Sequence, residues 1–138
     1  MKSTFVDTSA FVALIDRKDR NHKAAKRALK ALGKNRTPLI TSAYVADEVI
    51  TLVRMRLGHA TAVEAGEALL RSEWCRLLEV DQATRESAWN IFVRYDDQAF
   101  SFTDCTSFAL MRALDAGDAF TFDRTDFAAA GFTAIPSK

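Results

Sequence analysis

The sequence predicts an α/β fold of three layers, α/β/α, with a central parallel five-stranded sheet flanked by helices. Three observations lead there. Five short apolar runs have strand character: 4–6, 38–40, 76–78, 119–122 and 132–135. Segments with helical periodicity separate them. Strands of that kind, alternating with helices, need both sheet faces covered, which is the parallel arrangement. There is no repeat, low-complexity segment or linker, so residues 1–138 read as a single domain with more helix than strand.

The elements follow in order. After the first strand, Thr8 or Ser9 caps a helix reaching about residue 16. Asn21 caps a second helix, where Ala24, Ala25, Ala28, Leu29 and Leu32 recur at helical spacing and Gly33 is the stop. After the second strand, Thr41 or Ser42 caps a third helix ending at Gly58. A fourth covers 61–71, and a fifth, 82–95, follows the third strand. Thr103 caps a sixth, ending near Gly117 before the fourth strand. Phe92, Phe100 and Phe102 suit the core, with a dimer surface as the alternative.

Composition narrows the function. Hydrophobic residues make up 49% and charged residues 27%, an ordinary globular balance. Cys75 and Cys105 fit no zinc spacing and suit a reduced, cytoplasmic protein. His22 and His59 read as surface residues. No apolar run approaches the roughly 20 residues of a membrane span. No G-x-G-x-x-G occurs, which removes a dinucleotide fingerprint. Net charge is only +1, yet nine basic residues fall within 17–36, and 11 acidic residues against six basic ones follow from Glu73. That asymmetry suits a polyanion binder with an acidic pocket; it also suits a solvated helix face.

The acids carry the chemistry. Asp7 follows the first strand, Asp123 follows the fourth, and Asp104 opens the sixth helix. Strand ends and helix starts can share one edge of a parallel sheet, where ligands bind. Glu48 shares a helix face with Val45 and Leu52, so it points to the rim of the core, whereas Asp47 points elsewhere. Each acid also has an ordinary reading: Asp7 as a turn or cap residue, Asp123 in a turn with Arg124 and Thr125, Asp104 as a partner of the helix dipole, Glu48 as a partner of Arg54 or another arginine. Together, four acids without a matching buried cation would repel one another unless a divalent ion neutralised them. Carboxylates without His or Cys suit magnesium or manganese, one or two ions, rather than zinc. Thr8, Ser9, Thr103, Ser107 and Thr121 supply hydroxyls able to orient the carboxylates.

Four segments resemble the PIN domain family of metal-dependent ribonucleases: FVDTS at 5–9, ADEV at 46–49, SFTDCTSF at 101–108 and TFDRTDF at 121–127. Size and the Phe127 context look most like the VapC-type toxins of toxin–antitoxin pairs. The resemblance implies a parallel five-stranded sheet and an acidic quartet of Asp7, Glu48, Asp104 and Asp123. Asp7 and Asp104 would be the principal metal ligands, and Asp126 a fifth acid or a cap of the Phe127 turn. It implies an endoribonuclease that hydrolyses RNA phosphodiester bonds with metal-activated water, a homodimer, and an antitoxin partner. Lys23, Lys26, Arg27 and Lys30, on the basic stretch, are the candidate RNA contacts.

Other classes remain in view. A PIN-type nuclease with an RNA-processing role other than toxicity, or a binding module on the same fold, fits the same motifs. A receiver-type signalling domain also places aspartates at strand ends. It needs a lysine near its last strand, and this chain has none between Lys34 and Lys138.

Overall fold

Thr4, Phe5 and Val6 are all buried because their strand, β1 (Thr4–Val6), is paired on both sides. It lies between β2 (Leu39–Ser42) and β4 (Asp118–Phe120), with Phe5 opposite Ile40 and Ala119. β3 (Arg76–Leu78) and β5 (Thr133–Ile135) form the edges, and every pairing is parallel. The order is β3-β2-β1-β4-β5. This computed structural model describes residues 2–137; Met1 and Lys138, within the expected domain 1–138, lie outside the described residues.

Seven helices connect the strands among the described residues: α1 (Thr8–Ile15), α2 (His22–Lys34), α3 (Ala43–Leu57), α4 (His59–Leu70), α5 (Gln82–Arg94), α6 (Phe102–Ala113) and α7 (Arg124–Ala129). Right-handed crossovers put α1–α4 on one face of the sheet and α5–α7 on the other. The packing agrees: α1 lies on α2 and α3, α3 on α4, and α5 on α6. The expected three-layer α/β/α fold is therefore present. The chain runs outward from β1 to β3, then returns to place β4 beside β1. Strand order thus reverses between β1 and β4, and a crevice opens beyond the carboxyl ends there.

The core on the second face is aromatic. Phe108 of α6 meets Phe100 and Phe127 edge-on, each at 5.0 Å between ring centroids, and stacks on Phe132 at 5.7 Å. Each such ring contributes about 1.5–3 kcal/mol through burial. Phe127 belongs to α7, so the core fastens that short helix beneath the crevice.

Several local expectations change. α7 was not expected; at six residues it is too short to show a helical period. Ser42 does cap α3, accepting from the Val45 amide at 3.1 Å, and Gly58 does end that helix, at φ 95°. Thr103, however, lies inside α6; Ser101 is the cap. The α1 cap position belongs to Asp7 rather than to Thr8 or Ser9, and Asn21 precedes α2 without a capping side-chain bond. Gly33 does not stop α2. The helix runs to Lys34, and the turn is made at Arg36, which adopts φ 54°. There the Arg36 amide donates to the Gly33 carbonyl and the Thr37 amide to that of Leu32, a Schellman motif.

Phe100 is in the core as expected, and Phe102 is half-buried. Phe92 is instead 40% exposed, stacked on Trp89 at 5.6 Å on the outer face of α5. His59 is exposed, whereas half-buried His22 donates from Nδ1 to the Ala13 carbonyl at 2.7 Å. Cys75 and Cys105 are buried free thiols. No helix among the described residues is long and apolar enough to cross a membrane.

Candidate active site

Asp7 joins two elements through its backbone. Its amide donates to the Phe120 carbonyl at 3.0 Å, prolonging the β1–β4 ladder, and its carbonyl accepts from the Ala10 amide at 3.1 Å, starting α1. The carboxylate does not cap that helix. It is turned into the crevice, where Oδ2 accepts from the Ser9 hydroxyl at 3.1 Å and the Thr121 hydroxyl at 2.8 Å. Both hydroxyls accept in turn: Ser9 Oγ from the Phe122 amide and Thr121 Oγ1 from the Asp123 amide, each at 2.9 Å. This network ties the β4–α7 loop to the start of α1.

Asp104 occupies the first turn of α6. Its Oδ2 accepts from the Ser101 amide at 3.0 Å, while its own amide donates to Ser101 Oγ at 3.0 Å, a reciprocal capping box. Asp123 holds the N-cap position of α7, and Asp126 lies in the first turn of that helix. One carboxylate oxygen from each of Asp104, Asp123 and Asp126 can be chosen so that all three lie within 4.8 Å of one another. Asp126 thus joins the cluster.

Glu48 is half-buried and lines the same pocket as Asp7, Asp104 and Asp123, while Asp47 is exposed. Of the hydroxyl residues, Ser9 and Thr121 hold Asp7. Thr8 also lines the pocket, and its buried Oγ1 has no hydrogen-bond partner among the described residues. Ser107 is turned away: its hydroxyl donates to the Thr103 carbonyl at 3.2 Å. The Thr103 side chain makes no hydrogen bond to the acids among the described residues, since α6 begins before it. Lys23, Lys26, Arg27 and Lys30 are exposed on α2, and none lines the pocket.

The electrostatics follow from burial and crowding. Burial pushes the Asp7 carboxyl up, and the Glu48 charge adds to this; the Thr121 hydroxyl, the Thr8 amide and the Ser9 hydroxyl act oppositely. Asp104 is pushed up to about 6, chiefly by burial, with the charges of Asp7 and Asp126 adding to it against the Ser101 hydrogen bonds. Asp123 is pushed up to about 7 by burial and then by Asp126, Asp104 and Asp7, with a hydrogen bond to Asp126 favouring its protonated form. Among the described residues no Lys or Arg forms an ion pair with these five acids.

Such a group holds an excess of negative charge, and a cation relieves it. The donors are hard oxygens, and no His or Cys lines the pocket. Cys105 is adjacent in sequence, but burial and the Asp104 charge push its thiol up to about 11, so it stays protonated. The cluster therefore fits a divalent metal ion.

Sequence reasoning missed Arg56. It extends from the last turn of α3 into the pocket lining, pairing with Asp19 at 3.3 Å and Asp16 at 3.6 Å. Its signal was the i, i+4, i+8 series of Glu48, Leu52 and Arg56 on one helix face.

The PIN domain family matches residues 4–132. The chain belongs to the PIN domain family. A 23S rRNA-specific endonuclease of Mycobacterium tuberculosis, VapC20, is 41% identical over 132 residues, 95% of this chain and 96% of that protein. The crystal structure of VapC20, described as a sarcin-ricin loop cleaving toxin, aligns with a TM-score of 0.85 over 95% of this chain and 97% of its own. FitAcB from Neisseria gonorrhoeae, 16% identical, shares the fold with a TM-score of 0.73 over 97% of each chain. The PIN match thus spans β1 to β4, and the acidic pocket sits where the strand order reverses.

Proposed function

We propose that this PIN domain is a magnesium- or manganese-dependent endoribonuclease that hydrolyses RNA phosphodiester bonds. The observation that carries the reading is the convergence of Asp104, Asp123 and Asp126 beside buried Asp7, with no Lys or Arg ion-paired to them among the described residues. Asp7, Asp104, Glu48 and Asp123 are the proposed metal-holding residues, with Asp126 as a fifth. When bound, the ion would offset the phosphate charge and activate a water for attack. Ser9 and Thr121 keep the Asp7 carboxylate aimed at the ion site, and Ser101 does the same for Asp104. Hydrolysis by water needs no nucleophilic side chain, and the acid-lined crevice offers carboxylates to orient that water and accept its proton.

The likeness to VapC20 supports a toxin role and an RNA loop as substrate; a cytoplasmic location, a separately encoded antitoxin and a homodimer belong to the same reading. The exposed cations of α2, Lys23, Lys26, Arg27 and Lys30, begin two residues beyond Asn21, which lines the pocket, and would meet RNA outside the cleft.

The test is cleavage of a sarcin-ricin loop RNA by purified protein with magnesium or manganese. Asp7→Asn is expected to abolish cleavage with the fold intact. Equal activity of variant and wild type, contaminants excluded, overturns the reading. Growth arrest on expression, relieved by Asp104→Ala, tests the toxin role.

A further inference from the structure

A pocket walled by carboxylates repels the polyanion it is proposed to cut. Among the described residues, Arg56 is the one cation in its lining. We propose that Arg56 is a positioning residue that grips a backbone phosphate of the RNA beside the scissile bond, held ready by the α1–α2 loop. The inference rests on the ribonuclease reading above.

The loop is built to hold the guanidinium at one corner. Asp16 Oδ1 accepts from the Lys18 amide at 3.0 Å, and Asp19 Oδ1 accepts from the Asn21 amide at 2.8 Å. Each Oδ2 is thereby directed at Arg56, and both contacts fall on Nη1. Nε and Nη2 make no hydrogen bond among the described residues. The two aspartate side chains are only 13% and 17% exposed, whereas Arg56 is 46% exposed. The acids are anchored, and the half-exposed guanidinium keeps one edge free of hydrogen bonds among the described residues. That edge has the paired donors that match two phosphate oxygens. Arg56 is two helical turns from Glu48 on the same face, about 12 Å along the axis. A phosphate there lies beside the reacting one rather than on it.

A contact away from the reacting atoms strengthens ground state and transition state alike, so its loss raises KM and spares kcat. Arg56→Gln is expected to raise KM about tenfold with kcat little changed. In an Asp104→Asn background, which holds RNA uncut, fluorescence anisotropy against salt should show the slope of log K reduced by about 0.7, one single-strand phosphate contact. Arg56→Lys should keep the slope, and Asp19→Asn should keep it while raising KM. Unchanged KM and slope in Arg56→Gln, or a fall in kcat alone, overturns the proposal and leaves the nuclease reading standing. A loss of thermal stability in Arg56→Gln with KM and slope unchanged, marking a merely structural tie, overturns it too. Absence of cleavage by the wild type overturns the nuclease reading itself.

Discussion

Thr121 donates a 2.8 Å hydrogen bond to the Asp7 carboxylate across 114 positions of sequence. The same hydroxyl oxygen accepts from the Asp123 amide, so one side chain couples two of the acids. Partners of metal-holding carboxylates fix their orientation. Thr121→Val keeps the side-chain shape and removes both bonds. We expect metal affinity to fall about 10–100-fold. Calorimetry with manganese reads this directly, and wild-type affinity in the variant would mean that Thr121 does not position the site.

The raised carboxyls make metal-free stability depend on pH. An unfolded aspartate titrates near about 3.9. In the fold Asp104 sits at about 6 and Asp123 at about 7, so the folded state holds more protons between those limits. Their stabilising contribution is therefore complete below about pH 4 and lost as pH rises through 6 and 7. Asp123→Asn, which imitates the protonated form, should exceed the wild type in Tm at pH 8 with chelator present. The gap should close towards pH 5 and reverse with saturating magnesium. A variant less stable than the wild type at pH 8 in chelator contradicts this.

The end of α2 offers a test remote from the site. Arg36 holds φ 54°, a conformation that costs an ordinary residue about 1–2 kcal/mol. Glycine relieves the strain but loses about 0.5–1 kcal/mol of chain entropy on folding. Arg36→Gly should therefore stabilise the protein by about 0.5–1 kcal/mol. Denaturant unfolding measures it, and a destabilised variant would mean that the Arg36 side chain contributes more than its backbone strain costs.

Glu48 was legible because helical spacing alone sets which face it occupies, and that face runs along the core rim. Asp7, Asp104 and Asp123 were legible because turns between apolar segments place side chains at sheet edges. Ser9 and Thr121 were read as support for the acids, and both hydrogen-bond to Asp7. Ser107 was read the same way, but an interior helix hydroxyl finds the carbonyl four residues back first. Asp126 read more readily as a cap than as a fifth acid, because α7 is too short to declare itself. Arg56 was not legible, since its partners Asp16 and Asp19 lie outside its own helix.

By itself the sequence determined the strands and the longer helices, the parallel α/β class and the four acids carrying the PIN pattern, because local periodicity and turn chemistry act within a few residues. Only the tertiary structure decided that strand order reverses between β1 and β4, that Ser9 and Thr121 meet at one oxygen of Asp7, and that Arg56 overlooks the acids. Those facts depend on which strands become neighbours. Burial of apolar faces over the whole chain sets that choice, and no local stretch encodes it.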